Sequence, residues 1–363
     1  MDIDSLLKLM LDKGASDLHI KVPCPPVLRI DGELVRQENE PPVMPQDVRD
    51  VFEQIANQQQ RDAFLAECEL DFAYSIPGVA RFRVSVMQQR GTMSLAFRMV
   101  PFEVPSIDEL GLPPVCKELI LKPRGLILIT GATGTGKSTT LAAMISYLNE
   151  NSSRNVITIE DPIEFLFSDK KCLIRQRDLG DDTKSLPAAL RHALRHDPDV
   201  IVVGEMRDLD TISTAITAAE TGHLVLGTLH TVDVTQTVDR IIDVFSPAQQ
   251  HQVRLQLAQV IEAVLSQTLV SCIGGGRTAA LEIMIANSTI RKLIREERLL
   301  ELSANIALSS QEGMQTLNKA LADLVSRDVI AREEAVSKTS DPVDLNRLLL
   351  RSLSGVSQQS DDS

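Results

Sequence analysis

Tryptophan is absent and aromatic residues make up only 3% of the 363-residue chain, so its core must be built from Leu, Ile, Val and Ala. A basic excess is also missing. Lys and Arg total 37 against 50 Asp and Glu, a net charge of −13. A protein that mainly coats nucleic acid is thereby disfavoured, because such binding draws on positive charge and aromatic stacking. The five cysteines (Cys24, Cys68, Cys116, Cys172, Cys272) are scattered and form no CxxC pair. That argues against a disulfide framework and a clustered zinc site, and suits a reducing cytosol. No uninterrupted apolar run is long enough to span a bilayer. The opening MDIDSLLKLMLDKG carries Asp2 and Asp4 and no basic stretch, so it reads as an amphipathic helix rather than a signal. What is present is an ordinary globular balance, 43% hydrophobic and 24% charged, at a length that suits two domains.

Residues 1–100 read as a small α+β domain. Leu6, Leu7, Met10 and Leu11 recur at helical spacing, and Leu18, Ile20 and Val22 alternate as on a half-buried strand. Val27–Ile30, Asp31-Gly32 and Glu33–Arg36 form a hairpin signal, since Asp-Gly suits a positive-φ turn. Residues 45–66 look helical, and strands return at Leu70–Ile76, Ala80–Met87 and Met93–Met99. Pro101, Pro105, Pro113 and Pro114 mark an interdomain linker, taken as 101–117. An α/β core is expected over 118–288. A helical C-terminal region with a flexible tail is expected over 289–363.

From Gly125 onward four short apolar runs appear: Leu126–Ile129, Val156–Ile159, Val200–Val203 and Leu224–Leu226. Each is apolar nearly throughout, as parallel strands covered on both faces are. Each leads into polar or glycine-rich residues, and ligands of open α/β sheets bind along that carboxyl edge. After residue 236 helices are expected, including 249–269, 289–300 and 314–326.

Gly131-Ala132-Thr133-Gly134-Thr135-Gly136-Lys137-Ser138 matches G-x-x-x-x-G-K-[ST] and stands between a strand and a helix that includes Thr139. Its glycines let backbone N–H groups wrap phosphates. Lys137 reaches the β- and γ-phosphates, and Ser138 holds Mg²⁺. Glu160-Asp161-Pro-Ile-Glu164 follows the second strand, where carboxylates can hold Mg²⁺ through water or polarise an attacking water. Val200–Val203 followed by Gly204-Glu205 resembles a Walker B strand whose usual terminal Asp is Gly204; Glu205 is then a base or metal-water ligand. His223 begins the fourth strand and His230 ends it. Either could sense a γ-phosphate, bridge subunits, or simply pack. His192 and His196 have zinc-like spacing but no Glu at 193, so they read as surface residues. Arg81 and Arg83 share one strand face, and Arg98 lies on the next strand. Three such arginines could reach a phosphate held by a neighbouring subunit.

Together these elements resemble the secretion ATPase superfamily, and within it the type IV pilus retraction ATPases. The likeness rests on Gly14-Ala-Ser-Asp-Leu-His19, Ile30-Asp31-Gly32, Ala80-Arg-Phe-Arg-Val84, the P-loop and Ile159-Glu-Asp-Pro-Ile-Glu164. It continues through Gly204-Glu-Met-Arg-Asp208, Ala219-Glu-Thr-Gly-His223, Gly227-Thr-Leu-His-Thr231 and Gly313-Met-Gln-Thr316. Thr289-Ile-Arg-Lys-Leu-Ile-Arg-Glu296 resembles that family's retraction signature with Thr289 and Lys292 different, and the tetracysteine module of assembly ATPases is missing.

The resemblance implies an α/β fold: a PAS-like N-terminal α+β domain, then a RecA-like P-loop NTPase domain with a helical C-terminal extension. It implies a homohexameric ATPase motor, ATP and Mg²⁺ as cofactors, and a cytoplasmic place at the inner face of the membrane. An inner-membrane pilus platform protein is the implied partner, with a paralogous retraction ATPase as a further one and no nucleic acid. An accessory role beside a principal motor is the alternative. Carried onto this chain, Lys137, Glu205, Glu164, Arg81, Arg83, Arg98 and His230 are catalytic. Residues 131–139, Asp31, Glu160 and His223 bind nucleotide, and Ser138, Glu160 and Glu205 hold the metal.

Overall fold

The computed structural model describes residues 1–30, 32–101 and 103–359, side chains of 352–359 excepted. The chain divides into two compact units, Met1–Glu103 with Glu164–Leu166, and Val104–Ile163 with Phe167 onward.

In the first unit six strands form one sheet: β1 (Asp17–Lys21), β2 (Val27–Ile30), β3 (Glu33–Arg36), β4 (Glu69–Ile76), β5 (Ala80–Gln89) and β6 (Thr92–Val100). Their order is β3-β2-β1-β6-β5-β4, every neighbouring pair antiparallel. Alternation puts Phe82, Val84, Val86, Leu95 and Phe97 on one face. They form one core with helices α1 (Ile3–Asp12), α2 (Pro45–Ile55) and α3 (Gln58–Glu67). The helical stretch expected over 45–66 is present as two helices. Asn57 breaks it, accepting from the Gln60 N–H at 2.9 Å while the Gln60 side chain accepts from the Asn57 N–H at 2.9 Å. This reciprocal cap starts a new helix. The other sheet face carries the polar residues of β5 and β6.

The second unit centres on a seven-stranded sheet. Its strands are β7 (Gly125–Thr130), β8 (Asn155–Glu160), β9 (Leu173–Asp178), β10 (Val200–Val203), β11 (Leu224–Leu229), β12 (Ile261–Ser271) and β13 (Arg277–Ile285). The order is β13-β12-β7-β11-β10-β8-β9, parallel except for the β12–β13 hairpin. Its helices are α4 (Val115–Ile120), α5 (Lys137–Asn151), α6 (Leu186–Ala193), α7 (Leu209–Glu220), α8 (Val234–Asp243), α9 (Pro247–Val260), α10 (Ser288–Arg295), α11 (Leu302–Leu308), α12 (Leu317–Ser326), α13 (Arg332–Lys338) and α14 (Pro342–Gln359). Separate apolar clusters line the two sheet faces, and a third joins α12 and α14 to the β12–β13 hairpin.

The expected helix over 249–269 ends at Val260. Ile261 is extended, with φ −63° and ψ 129°, and the chain runs on as β12. Pairing with both β7 and β13 overrides the continuous apolar pattern there. Of the expected tail, residues 360–363 lie outside the described residues, as does Asp31. Among the described residues no helix is long and apolar enough to cross a membrane.

Candidate functional site

β7 is buried along its whole length and delivers the chain into the glycine loop. Gly131 has φ +144°, and a Cβ there would stand 2.4 Å from the Gln267 carbonyl, so only glycine fits. α5 opens behind the loop with Gly136 in the left-handed region and no side-chain cap. Its first N–H groups and the positive end of its dipole therefore face the loop, an arrangement that binds anions. The Lys137 ammonium lies inside the cradle, donating to the carbonyls of Gly131 at 2.8 Å and Ala132 at 3.0 Å. Gln267 of β12 buckles the loop. Its Nε2 donates to the Thr135 carbonyl at 2.7 Å, and its Oε1 accepts from Thr140 at 2.7 Å. Ser138 and Thr139 occupy the next two positions of α5. A nucleotide's phosphates fit this cradle: backbone donors, a lysine and a tight glycine turn converge on it.

The strand order then sets the chemistry beside the loop. β11 neighbours β7, β10 follows, and β8 comes third. His230 leaves the end of β11, and its Nε2 lies 3.0 Å from Oε1 of Glu205, which leaves β10. The other ring nitrogen is 3.5 Å from the Thr133 hydroxyl of the P-loop. Arg207 grips Glu205 with both Nε and Nη2, the latter at 2.6 Å from Oε2. Burial pushes the Glu205 carboxyl up, but hydrogen bonds from Arg207 and His230 outweigh it and leave the group below the usual range. Glu205 is thus an ionised acceptor held in one orientation.

Backbone ties fix these ends. The Met206 N–H donates to the Thr228 carbonyl at 2.9 Å, and the Thr228 hydroxyl donates to the Gly204 carbonyl. Gly204 is glycine for a packing reason. Its N–H reaches the Ile159 carbonyl at 2.7 Å, and a Cβ there would stand 3.1 Å from the Glu160 backbone. A Walker B aspartate here would need the neighbouring strand to give by a few tenths of an ångström.

Not every expected residue joins this group. The Glu160 carboxylate accepts from Thr158 at 2.6 Å and Gln176 at 3.2 Å, on the β9 side, three strands from β7. Among the described residues no group of three or more His, Cys, Asp or Glu forms a metal cage. The donor set suits Mg²⁺ all the same. Ser138 and a nearby carboxylate acting through water leave the ion its usual waters and the substrate phosphates. His223 is not brought to the P-loop of its own chain. It lies just before β11, at the opposite sheet edge, and its Nδ1 is 2.9 Å from the Ala218 carbonyl near the end of α7. The strand between His223 and His230 spans roughly 20 Å. His192 is exposed near the end of α6, and His196 lies beyond it, so they do not share a helix face.

In the first unit Arg83 and Arg98 stand directly opposite each other on β5 and β6. Like charges so placed repel. Asp17 offsets this from β1, with Arg98 Nε at 2.8 Å and Arg29 Nε at 3.7 Å, while Arg83 reaches Asp71 at 3.6 Å. Arg81 lies two residues before Arg83, on the same face of β5. Glu164 groups with this unit.

Sequence reasoning missed Arg207 and Gln267. A charged residue after Glu205 had no assigned partner, and β12 had been expected as helix. Arg291 of α10 is tied down within its own chain. Its guanidinium donates to the Ala258 and Gln259 carbonyls at 2.9 and 2.8 Å and to Glu262 at 2.6 Å. It caps the C-terminus of α9, where a cation is favoured. Lys292, Arg295 and Glu296 are exposed, and Ile290, Leu293 and Ile294 are buried.

The family model for type II/IV secretion system proteins matches residues 2–336. The chain is 48% identical over 342 residues to the type IV pilus retraction ATPase PilT of Pseudomonas aeruginosa, covering 94% of this chain and 99% of that one. It is 40% identical over 353 residues to the type IV pilus ATPase PilU of the same organism, covering 97% and 92%. Among solved structures, the pilus retraction motor PilT with bound ADP superposes with a TM-score of 0.89 at 44% identity, covering 96% of this chain and 99% of that one. The motifs, the strand-end geometry and this full-length likeness agree: the chain belongs to the type II/IV secretion system protein family.

Proposed function

We propose that this chain is an ATP-hydrolysing motor that powers type IV pilus retraction, and so twitching motility, by driving pilin disassembly. The observation that carries the reading is the row of strand ends: P-loop, His230, Glu205, in consecutive order at one sheet edge. Lys137 and the α5 N-terminus hold the phosphates. Glu205, steadied by Arg207 and His230, orients the attacking water. Mg²⁺, when bound through Ser138 and water, supplies charge stabilisation to the phosphoryl group. Arg81, Arg83 and Arg98 serve a neighbouring subunit's nucleotide within a homohexamer, and Glu164 assists the water. The first unit is PAS-like and the second RecA-like, with 101–117 as linker. The motor works in the cytoplasm against an inner-membrane platform protein. Nucleic acid is not its substrate.

The 40% identity to PilU over nearly the whole chain also supports a second reading, an accessory ATPase working beside a principal motor. A deletion strain tests both. Hyperpiliated, non-motile cells rescued by this chain alone mark the principal motor. Rescue only alongside a paralogue marks the accessory one. Normal retraction in the deletion strain, with no paralogue to cover the loss, overturns both.

A further inference from the structure

Glu282 is an acid on a strand that buries its neighbours. Leu281 and Ile283 pack to one side, and Met284 packs into the cluster that holds Val234, Val238 and Ile241 of α8. Alternation puts Glu282 on the Met284 side. No cation pairs with it among the described residues. An apolar side chain would suit that face better, because a half-buried carboxylate loses hydration. Burial pushes its carboxyl up to about 7, with the Val234 N–H pulling it back and the Asp233 charge adding to the rise.

The carboxylate has one directed role. Its Oε2 accepts from the Val234 N–H, the first of α8, at 2.9 Å. Four residues separate that point from the end of β11, and the first of them is His230. The loop between is short and tied. The Thr231 and Thr237 hydroxyls lie 2.6 Å apart, and the Asp233 side chain accepts from the Gln236 N–H at 2.7 Å. Glu282 also heads a cross-strand row. It is opposite Ser266, which is opposite Thr130, and the two hydroxyls are 2.8 Å apart. Thr130 is the residue before Gly131. One row of side chains thus links the P-loop strand, β12 and β13 to the start of α8.

We propose that Glu282 is a positioning residue for hydrolysis: it anchors the start of α8, so that the 230–233 loop keeps His230 on Glu205. This rests on the ATPase reading above. If the anchor goes, the His230–Glu205 contact slackens while the phosphate cradle stays intact. Misplacement of this kind acts on the transition state more than on substrate binding.

The test uses the full-length protein, ATP and Mg²⁺. Glu282→Ala is expected to lower kcat by about 10-fold with the KM for ATP within about twofold. Glu282→Gln retains an acceptor oxygen and is expected to restore most of kcat. In a His230→Ala background, Glu282→Ala should cost little more, because the effect runs through His230. Amide exchange across 230–236 should speed up in Glu282→Ala, a readout that needs no turnover. Full kcat in Glu282→Ala, an additive loss in the His230→Ala background, or unchanged exchange would each overturn the anchor. Absence of turnover in the wild type would instead sink the ATPase reading, and the exchange measurement would still decide the anchor.

Discussion

The two charged surfaces of this molecule are built in opposite ways. At the carboxyl edge of the seven-stranded sheet, function is carried by backbone: a glycine loop, a helix N-terminus, and strand ends that space His230 from Glu205. On the polar face of the six-stranded sheet the charge is carried by long arginine side chains on rigid strands. Arg83 meets exposed Asp71 at 3.6 Å, whereas Arg98 contacts buried Asp17 at 2.8 Å. Exposed ion pairs contribute only about 0–1 kcal/mol. Arg83 can therefore exchange a carboxylate for a phosphate at little cost, whereas Arg98 would leave buried Asp17 to the more distant Arg29, and Gly131 of the P-loop admits no side chain.

That contrast breaks most sharply at Lys137. Lys137→Ala should reduce ATP turnover in the purified protein to background, and wild-type turnover in a pure sample would end the ATPase reading. Arg98→Ala comes next. If it acts on a neighbouring subunit's nucleotide, kcat falls by about 10³-fold with ATP binding retained. Mixing Arg98→Ala with Lys137→Ala chains should then recover activity, and its absence at every ratio would place the arginine's action within its own chain. Glu205→Gln should lower kcat by about 10²–10³-fold while still binding ATP. Parallel loss of binding would show that the Arg207 and His230 contacts serve folding alone.

A smaller effect concerns pH. The Glu282 carboxyl is raised from 4.5 to about 7, so in that window the native chain keeps a proton that the unfolded chain has released. Stability should therefore fall as pH rises from about 4.5 to about 7. Glu282→Gln should flatten that slope in urea melts taken at pH 5 and pH 8. The smallest expected effect on chemistry lies at Arg295. Arg295→Ala touches an exposed position and should leave stability and ATPase near wild type while cells lose retraction. ATPase falling in step with motility would make the segment structural. Leu293→Ala is a poorer probe, because Leu293 is buried and such truncations destabilise by about 2–5 kcal/mol.

Local pattern made much of this legible. The P-loop, the four inner parallel strands and the hairpins of the first sheet each announce themselves within a few residues. Contacts made far along the chain did not. β12 follows α9 without a glycine or proline stop, and only pairing with β7 makes it a strand. Gln267, Glu282 and Arg291 act through partners tens of residues away or more, so nothing local marks them. His223 and His230 bracket one strand, and strand length alone separates them by a sheet width.

The placement of β12 also bears on how the chain comes off the ribosome. The first unit closes within residue 103 apart from the short 164–166 segment, through strands that mostly neighbour one another. β7 instead lies between β11 and β12, and Thr130 meets Ser266 136 residues later. At translation speeds of about 5–20 residues per second that separation is roughly 7–27 s of synthesis. We expect a nascent chain halted at residue 240 to show a protease-resistant first unit but no ATP binding, and one released beyond residue 290 to gain it. The nucleotide loop emerges early and waits, exposed to chaperones, for a strand not yet made.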